Sequence, residues 1–177
     1  LGGNPVSSAS FSGKPAVLVT SGEHYGAVLN LDFDYAKYLE TLAADKLNLT
    51  RTFPGCYCEP EKAFHIERNT LAPAAGKLIC PWARSSEPGY VHGGNKFDLN
   101  KFNQAYFDRM RSRVAAARDQ GIYVSVMLFN GFSIEGKGNV GGDPWQGHPF
   151  NPKNNVNATD GGGGRDNAQL RIGTRDC

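Results

Sequence analysis

The residues best suited to chemistry fall in three polar loops, each after a short apolar run. Glu23, His24 and Tyr25 follow the first run. Arg51, Tyr57, Glu59 and Glu61 lie at or after the second. Asn130, Glu135, Asp143, Trp145, His148, Asn154 and Asn155 follow the third. Carboxylates, imidazoles and amides can bond the hydroxyl groups of a sugar, while tyrosine and tryptophan faces can stack on the apolar side of a pyranose. The plainer alternative for any one of them is a solvated loop side chain, because polar residues are mostly exposed.

Arg51 stands apart, since it lies inside a strand run, where a charge is costly unless paired. An outward-facing or structural ion pair is its alternative reading. Glu59 and Glu61 suggest paired carboxylates, but spacing along the chain does not set the separation of roughly 5 to 9 Å that a glycosidase pair requires. Their proline-flanked loop favours a solvated role. His24, His65, His92 and His148 show neither HxxxH nor HxH spacing, so no metal site and no cofactor are expected. No G-x-S-x-G turn offers a hydrolase serine. Cys56, Cys58 and Cys80 share one stretch and make an incomplete zinc set. A disulfide between Cys58 and Cys80 in an exported protein, or buried thiols, are the two options. Two N-x-T triplets begin at Asn48 and Asn157, the first on a strand run that argues against its use as a glycosylation site.

The elements that must position these residues are readable from periodicity. Residues 122–132, IYVSVMLFNGF, form a continuous apolar run, as expected of a strand buried on both faces in a parallel sheet. Residues 16–20, AVLVT, and 48–53, NLTRTF, are two further strand candidates. A helix is predicted over 33–46, capped by Asp32 or Asp34, with Ala36, Leu39, Leu42, Ala43 and Leu47 on one face. A second helix is predicted over 103–120. Tyr106, Met110, Val114 and Ala117 form its stripe, Arg109, Arg111, Arg113 and Arg118 face mostly outward, and Gly121 ends it. Between them, residues 54–101 carry prolines, glycines and no sustained period, but enough aromatic and aliphatic residues to pack as a folded excursion.

The order strand, helix, strand, excursion, helix, strand defines an α/β chain, either doubly wound or a (β/α)8 barrel. A doubly wound nucleotide binder would carry a glycine-rich turn between a strand and a helix. None is present, and Gly161 to Gly164 follow no strand. The polar and aromatic residues after each strand favour the barrel, whose sites are built from those loops. The 177 residues carry a net charge of +2, too little to imply nucleic acid or an anionic membrane surface. No apolar run reaches the roughly 20 residues of a membrane helix, and no signal peptide is visible. One domain is expected over 1–177, with a loose N-terminus at 1–13 and an irregular tail at 158–177.

The segments KYLETLAADKLNLTRTF, NTLAPAAGKLICPWARSSEPGY, GGNKFDLNKFNQAYFDRMRSRV, DQGIYVSVMLF and HPFNPKNNVN resemble the N-terminal half of bacterial cellulase-like glycoside hydrolases, from about Lys14 to Asn157. These are TIM-barrel enzymes that retain stereochemistry with two glutamates. The resemblance implies a partial TIM barrel of about three βα units, a carbohydrate substrate and a secreted or periplasmic location. It implies that Arg51 helps set the catalytic nucleophile and that loop residues near Trp82, Asn130 and His148 line a sugar cleft. The acid/base glutamate of such enzymes follows an asparagine after the fourth strand, and the nucleophile ends the seventh. This sequence has no Asn-Glu pair, and a complete barrel takes about 250 residues. The expectation is therefore a truncated or frame-shifted glycoside hydrolase, marginal in stability and inactive alone. The alternative is a non-catalytic carbohydrate-binding or degenerate half-barrel protein.

Overall fold

The computed structural model describes residues 9–11, 14–20, 27–53, 56–127, 131–134 and 142–158. Two strands open the chain, β1 (Ala9–Phe11) and β2 (Lys14–Ala16), paired antiparallel. The region expected to be a loose terminus thus contributes one strand of a hairpin. The segment leaving β2 then runs beside β3 (Leu49–Thr52), with Thr20 bridging Leu49 in parallel and the Val19 carbonyl accepting from Asn48 and Leu49 N–H groups. The Asn48 side chain clamps the same segment, donating to the Val17 carbonyl (2.9 Å) and accepting from the Val19 N–H (2.8 Å).

Helix α1 (Tyr35–Ala44) starts where an aspartate can accept a first-turn N–H. The Asp34 carboxylate takes that of Lys37 at 3.0 Å. Its buried positions are Tyr35, Leu39 and Leu42; Ala36 and Ala43, expected on that face, are exposed. Removing this cap with Asp34→Ala is expected to cost about 1 kcal/mol, read as a lower urea midpoint at unchanged slope.

Helix α2 (Gln104–Asp119) ends at Gly121, whose φ of +74° is a left-handed position that glycine adopts without strain. Of its four arginines only Arg111 and Arg118 are exposed. Arg109 donates to the carbonyls of Leu29 and Asn30 at 2.6 Å each, and the Arg113 guanidinium lies 4.6 Å from the Tyr35 ring centre. The four were expected to face mostly outward; these two turn inward because their guanidiniums find carbonyl and aromatic partners across the core. Desolvation lowers the pKa of both.

Strand β6 (Tyr123–Val126) pairs in parallel with β3, Leu49 opposite Tyr123 and Thr52 opposite Val126. The 16–20 segment, β3 and β6 therefore lie side by side in chain order. The strand is shorter than the predicted 122–132. It closes at Val126, and Gly131–Ile134 forms a 3₁₀ turn. Nor is it covered on both faces: Ile122 is buried and Val124 packs on the core, but Tyr123 and Val126 are exposed, as are Val17 and Val19. Among the described residues no helix is long and apolar enough to cross a membrane.

The excursion is more ordered than its sequence suggests. It holds an antiparallel pair, β4 (Trp82–Pro88) and β5 (Asn95–Phe102), with register shifts after Trp82 and Arg84. Two cores result. One lies between the parallel segments and the helices and contains Val28, Leu29, Tyr35, Leu39, Tyr106 and Ile122. The other is built from segments beyond the C-terminal ends of β3 and β6, and contains Cys58, Cys80, Trp82, Phe97, Trp145 and Phe150.

Candidate functional site

In open and closed α/β sheets ligands gather beyond the C-terminal strand ends, which here is the side of the second core. The 142–158 segment supplies its lid. Pro144 begins a 3₁₀ turn, Pro144–Gly147, and the chain then runs along β5: Phe97 N–H donates to the Asn154 carbonyl (2.8 Å) and Val156 N–H to the Phe97 carbonyl (2.9 Å). Four asparagines secure it. Asn151 donates to the Trp145 carbonyl, and Asn155 to those of Pro149 and Asn151. Asn154 donates to the carbonyls of Gln146 (2.6 Å) and His148 (3.0 Å), and accepts from Val91 N–H at 3.4 Å. Asn157 accepts from Leu99 N–H and reaches Asp98. Bonds to Lys101, Asn100 and Asn157 hold the Asp98 carboxyl below its ordinary range.

This arrangement assigns four of the residues expected to touch sugar to the framework. Trp82 packs edge-on against Phe150, ring centres 5.1 Å apart, and Trp145 stacks on His148 at 5.3 Å. Trp82, Trp145, His148 and Asn155 are all buried. The His148 Nδ1 accepts from Phe150 N–H (3.1 Å), and burial lowers its pKa to about 3. Arg51 is half-buried on β3 opposite Ser125, its guanidinium 5.8 Å from the Phe53 ring centre. His24, Tyr25 and Asn130 lie outside the described residues.

A concave surface lies elsewhere on the same core. A cavity of about 210 Å³ opens between the loop after β3 and the hairpin, walled by Cys58, Glu59, Leu78, Arg84, Tyr90 and His92, with Glu61 and the 73–76 stretch also lining it. Glu59 is buried, contrary to the solvated role expected for it, while Glu61 is exposed. Asn69 Nδ2 donates to Glu59 Oε1 at 3.2 Å and to the Pro60 carbonyl, which fixes the carboxylate. The Arg84 guanidinium lies 3.8 Å from the Phe97 ring centre and 4.3 Å from that of Tyr90, and donates to the Asn95 carbonyl at 2.8 Å. Two aromatic faces and one bond hold it in place. Tyr90 donates its hydroxyl to the Gly147 carbonyl (2.9 Å). A Cβ at Gly147 would come within 2.5 Å of His92 Nε2, so only glycine lets that imidazole sit where it does.

Three of the four cysteines are among the described residues, and all three are buried. Cys56, Cys58 and Cys80 are buried thiols, so the disulfide option for Cys58 and Cys80 is not the arrangement adopted. Burial pushes the Cys58 and Cys80 thiols up to about 12, with Arg84 opposing and Glu59 reinforcing the shift at Cys58. They stay protonated at neutral pH and are poor nucleophiles. Burial likewise raises the Tyr90 phenol and lowers the His92 imidazole, so phenol and imidazole are both held toward neutrality. Among the described residues no group of three His, Cys, Asp or Glu could hold a metal ion.

Sequence reasoning passed over Arg84 and Tyr90 and treated His92 only as one of four scattered histidines. The available signal was the turn YVHGGN, whose Gly93 and Gly94 adopt φ of +91° and +84° and send the chain back along the hairpin. No family model matches this chain, and no curated protein or solved structure matches it.

Proposed function

We propose that this chain is a carbohydrate-recognising portion of a glycoside hydrolase-type (β/α)8 barrel, corresponding to about its first three βα units. The observation that carries the reading is the side-by-side parallel order of 16–20, β3 and β6, with the excursion from β3 enclosing a cavity lined by Glu59, Arg84, Tyr90 and His92. A carboxylate acceptor, fixed guanidinium donors, an imidazole and an aromatic face are the groups that bind hydroxyls and a pyranose ring. The exposed Val17, Val19, Tyr123 and Val126 leave apolar surface on the parallel segments, which further barrel units would cover. Arg51, on the central strand, is then the residue that would orient a catalytic carboxylate.

Recognition without hydrolysis is the favoured form for these 177 residues, because they contain no Asn-Glu pair to supply the acid/base residue that the resemblance requires. Affinity electrophoresis of the purified chain through gels cast with soluble glucans, xylans or mannans checks this. At least one polysaccharide is expected to retard it, with no reducing ends released. Equal mobility in every gel would remove the carbohydrate reading, and release of reducing ends would make the chain a catalyst in its own right.

A further inference from the structure

We infer that the cavity between the loop after β3 and the β4–β5 hairpin is a one-residue pocket that takes the terminal unit of a neutral saccharide end-on, and not the interior of an extended chain. This rests on the carbohydrate reading above and specifies its ligand. Size is the first argument. At about 210 Å³ the cavity falls below the roughly 300–1,000 Å³ of pockets that enclose drug-sized ligands. One sugar ring fills such a space; a run of rings needs an open cleft.

The second argument is the pairing of polar groups on its wall. Glu59 is buried and held by Asn69, so its carboxylate presents acceptors in a fixed direction. Arg84 is clamped between Tyr90 and Phe97. Among the described residues its one hydrogen bond goes from Nη1 to the Asn95 carbonyl, which leaves its other N–H groups for a ligand. An acceptor and a donor set facing one small space suit two neighbouring hydroxyls, each of which can donate to the carboxylate and accept from the guanidinium. His92, packed on Gly147, adds a third polar edge, while Pro60, Pro73, Ala74 and Leu78 give the apolar side that a ring's C–H face needs.

Charge is the third argument. Glu59 and Arg84 balance one another, burial holds His92 toward neutrality, and Glu61 adds a negative charge on the exposed rim. A uronate or a phosphorylated sugar would meet that carboxylate as well as the Glu59 one. A neutral ring brings no charge for that rim carboxylate to repel.

Isothermal titration of the full 177-residue chain provides the test. The probes are the methyl glycosides of glucose, mannose, galactose and xylose, glucuronate, and the linear tetrasaccharides of the three hexoses and of xylose. One methyl glycoside is expected to bind, its tetrasaccharide no more than about twofold tighter, and glucuronate at least about tenfold weaker, the usual scale for one lost or mismatched charged hydrogen bond. Glu59→Gln and Arg84→Lys should each weaken binding about tenfold or more. Ala75→Trp, at an exposed position on the cavity wall, should block binding with an unchanged melting temperature, which separates loss of the pocket from loss of the fold. Affinity rising tenfold with chain length, or binding that survives Ala75→Trp, would place the sugar elsewhere and overturn the pocket while leaving the carbohydrate reading intact. Tighter binding of glucuronate than of every neutral glycoside would overturn the neutral specificity. Failure of all sugars to bind would overturn pocket and reading together.

Discussion

Replacing Asn154 by aspartate is expected to destabilise the protein by about 3–5 kcal/mol at pH 7, the scale for leaving a buried charge without its partners. The substitution keeps the shape of the side chain and changes only one polar group. In the native protein that group is an NH₂ lying 2.6 Å from the Gln146 carbonyl oxygen and 3.0 Å from that of His148, on a side chain with no exposed surface. Aspartate sets a carboxylate oxygen against those two oxygens. Both carbonyls lose their donor, and the charge has no water to retreat to. Protonation relieves part of this, since a neutral carboxyl can donate to one carbonyl. The deficit should therefore narrow as pH falls toward 4. Urea unfolding of N154D and wild type at pH 7 and pH 4 reads both effects. A loss below 1 kcal/mol at pH 7 would mean that the 142–158 segment does not depend on this side chain.

The second large effect is a loss of stability in acid that passes through His148. In the unfolded chain its imidazole titrates near 6.5; in the fold, burial lowers the pKa to about 3. Its folded pKa is the lower one, so the unfolded state binds the proton first as pH falls. The contribution is complete above pH 6.5 and drains away between 6.5 and 3. The limiting slope is about 1.4 kcal/mol per pH unit for one proton, so about 2–3 kcal/mol is lost between pH 6.5 and 4.5. Carboxylates titrate nearby, and the comparison must isolate the histidine. His148→Asn does so: the amide oxygen can stand in for Nδ1 as acceptor from Phe150 N–H, and nothing remains to ionise. The wild type should lose that much more stability than H148N over the same interval. Parallel pH profiles for the two proteins would assign the acid sensitivity to other groups.

Both predictions concern side chains whose types look functional in the bare sequence. His148, Asn154 and Asn155 are polar, clustered and beside a tryptophan, as binding residues are. Yet what they do in the fold is to satisfy the carbonyls of an irregular segment that must be buried. The demand comes from β5, about 50 residues earlier, where Phe97 exchanges backbone bonds with Asn154 and Val156. No local pattern could reveal it. The same distance explains the missed hairpin. WARSSEP and NKFDLNKF do not alternate apolar and polar residues along their length, and their covering comes from the other end of the chain. Glu59 looked solvated because Asn69 and the hairpin that enclose it are not its neighbours in sequence. The helices were readable to within two residues at each end because their signals are local: Asp34 at one start, Gly121 beyond one end, and an apolar face between. The run at 122–132 misled for a related reason. Apolar continuity reports burial, and here the strand itself ends at Val126.

The distribution of the two tryptophans gives the protein a built-in pair of optical reporters. Trp82 and Trp145 both belong to the core beyond the strand ends, and neither belongs to the core between strands and helices. Indole emission therefore follows the cavity-bearing half alone, whereas ellipticity at 222 nm follows α1 and α2 in the other. Recorded together through one thermal scan, the two signals resolve whether the halves melt as a single cooperative unit or in turn.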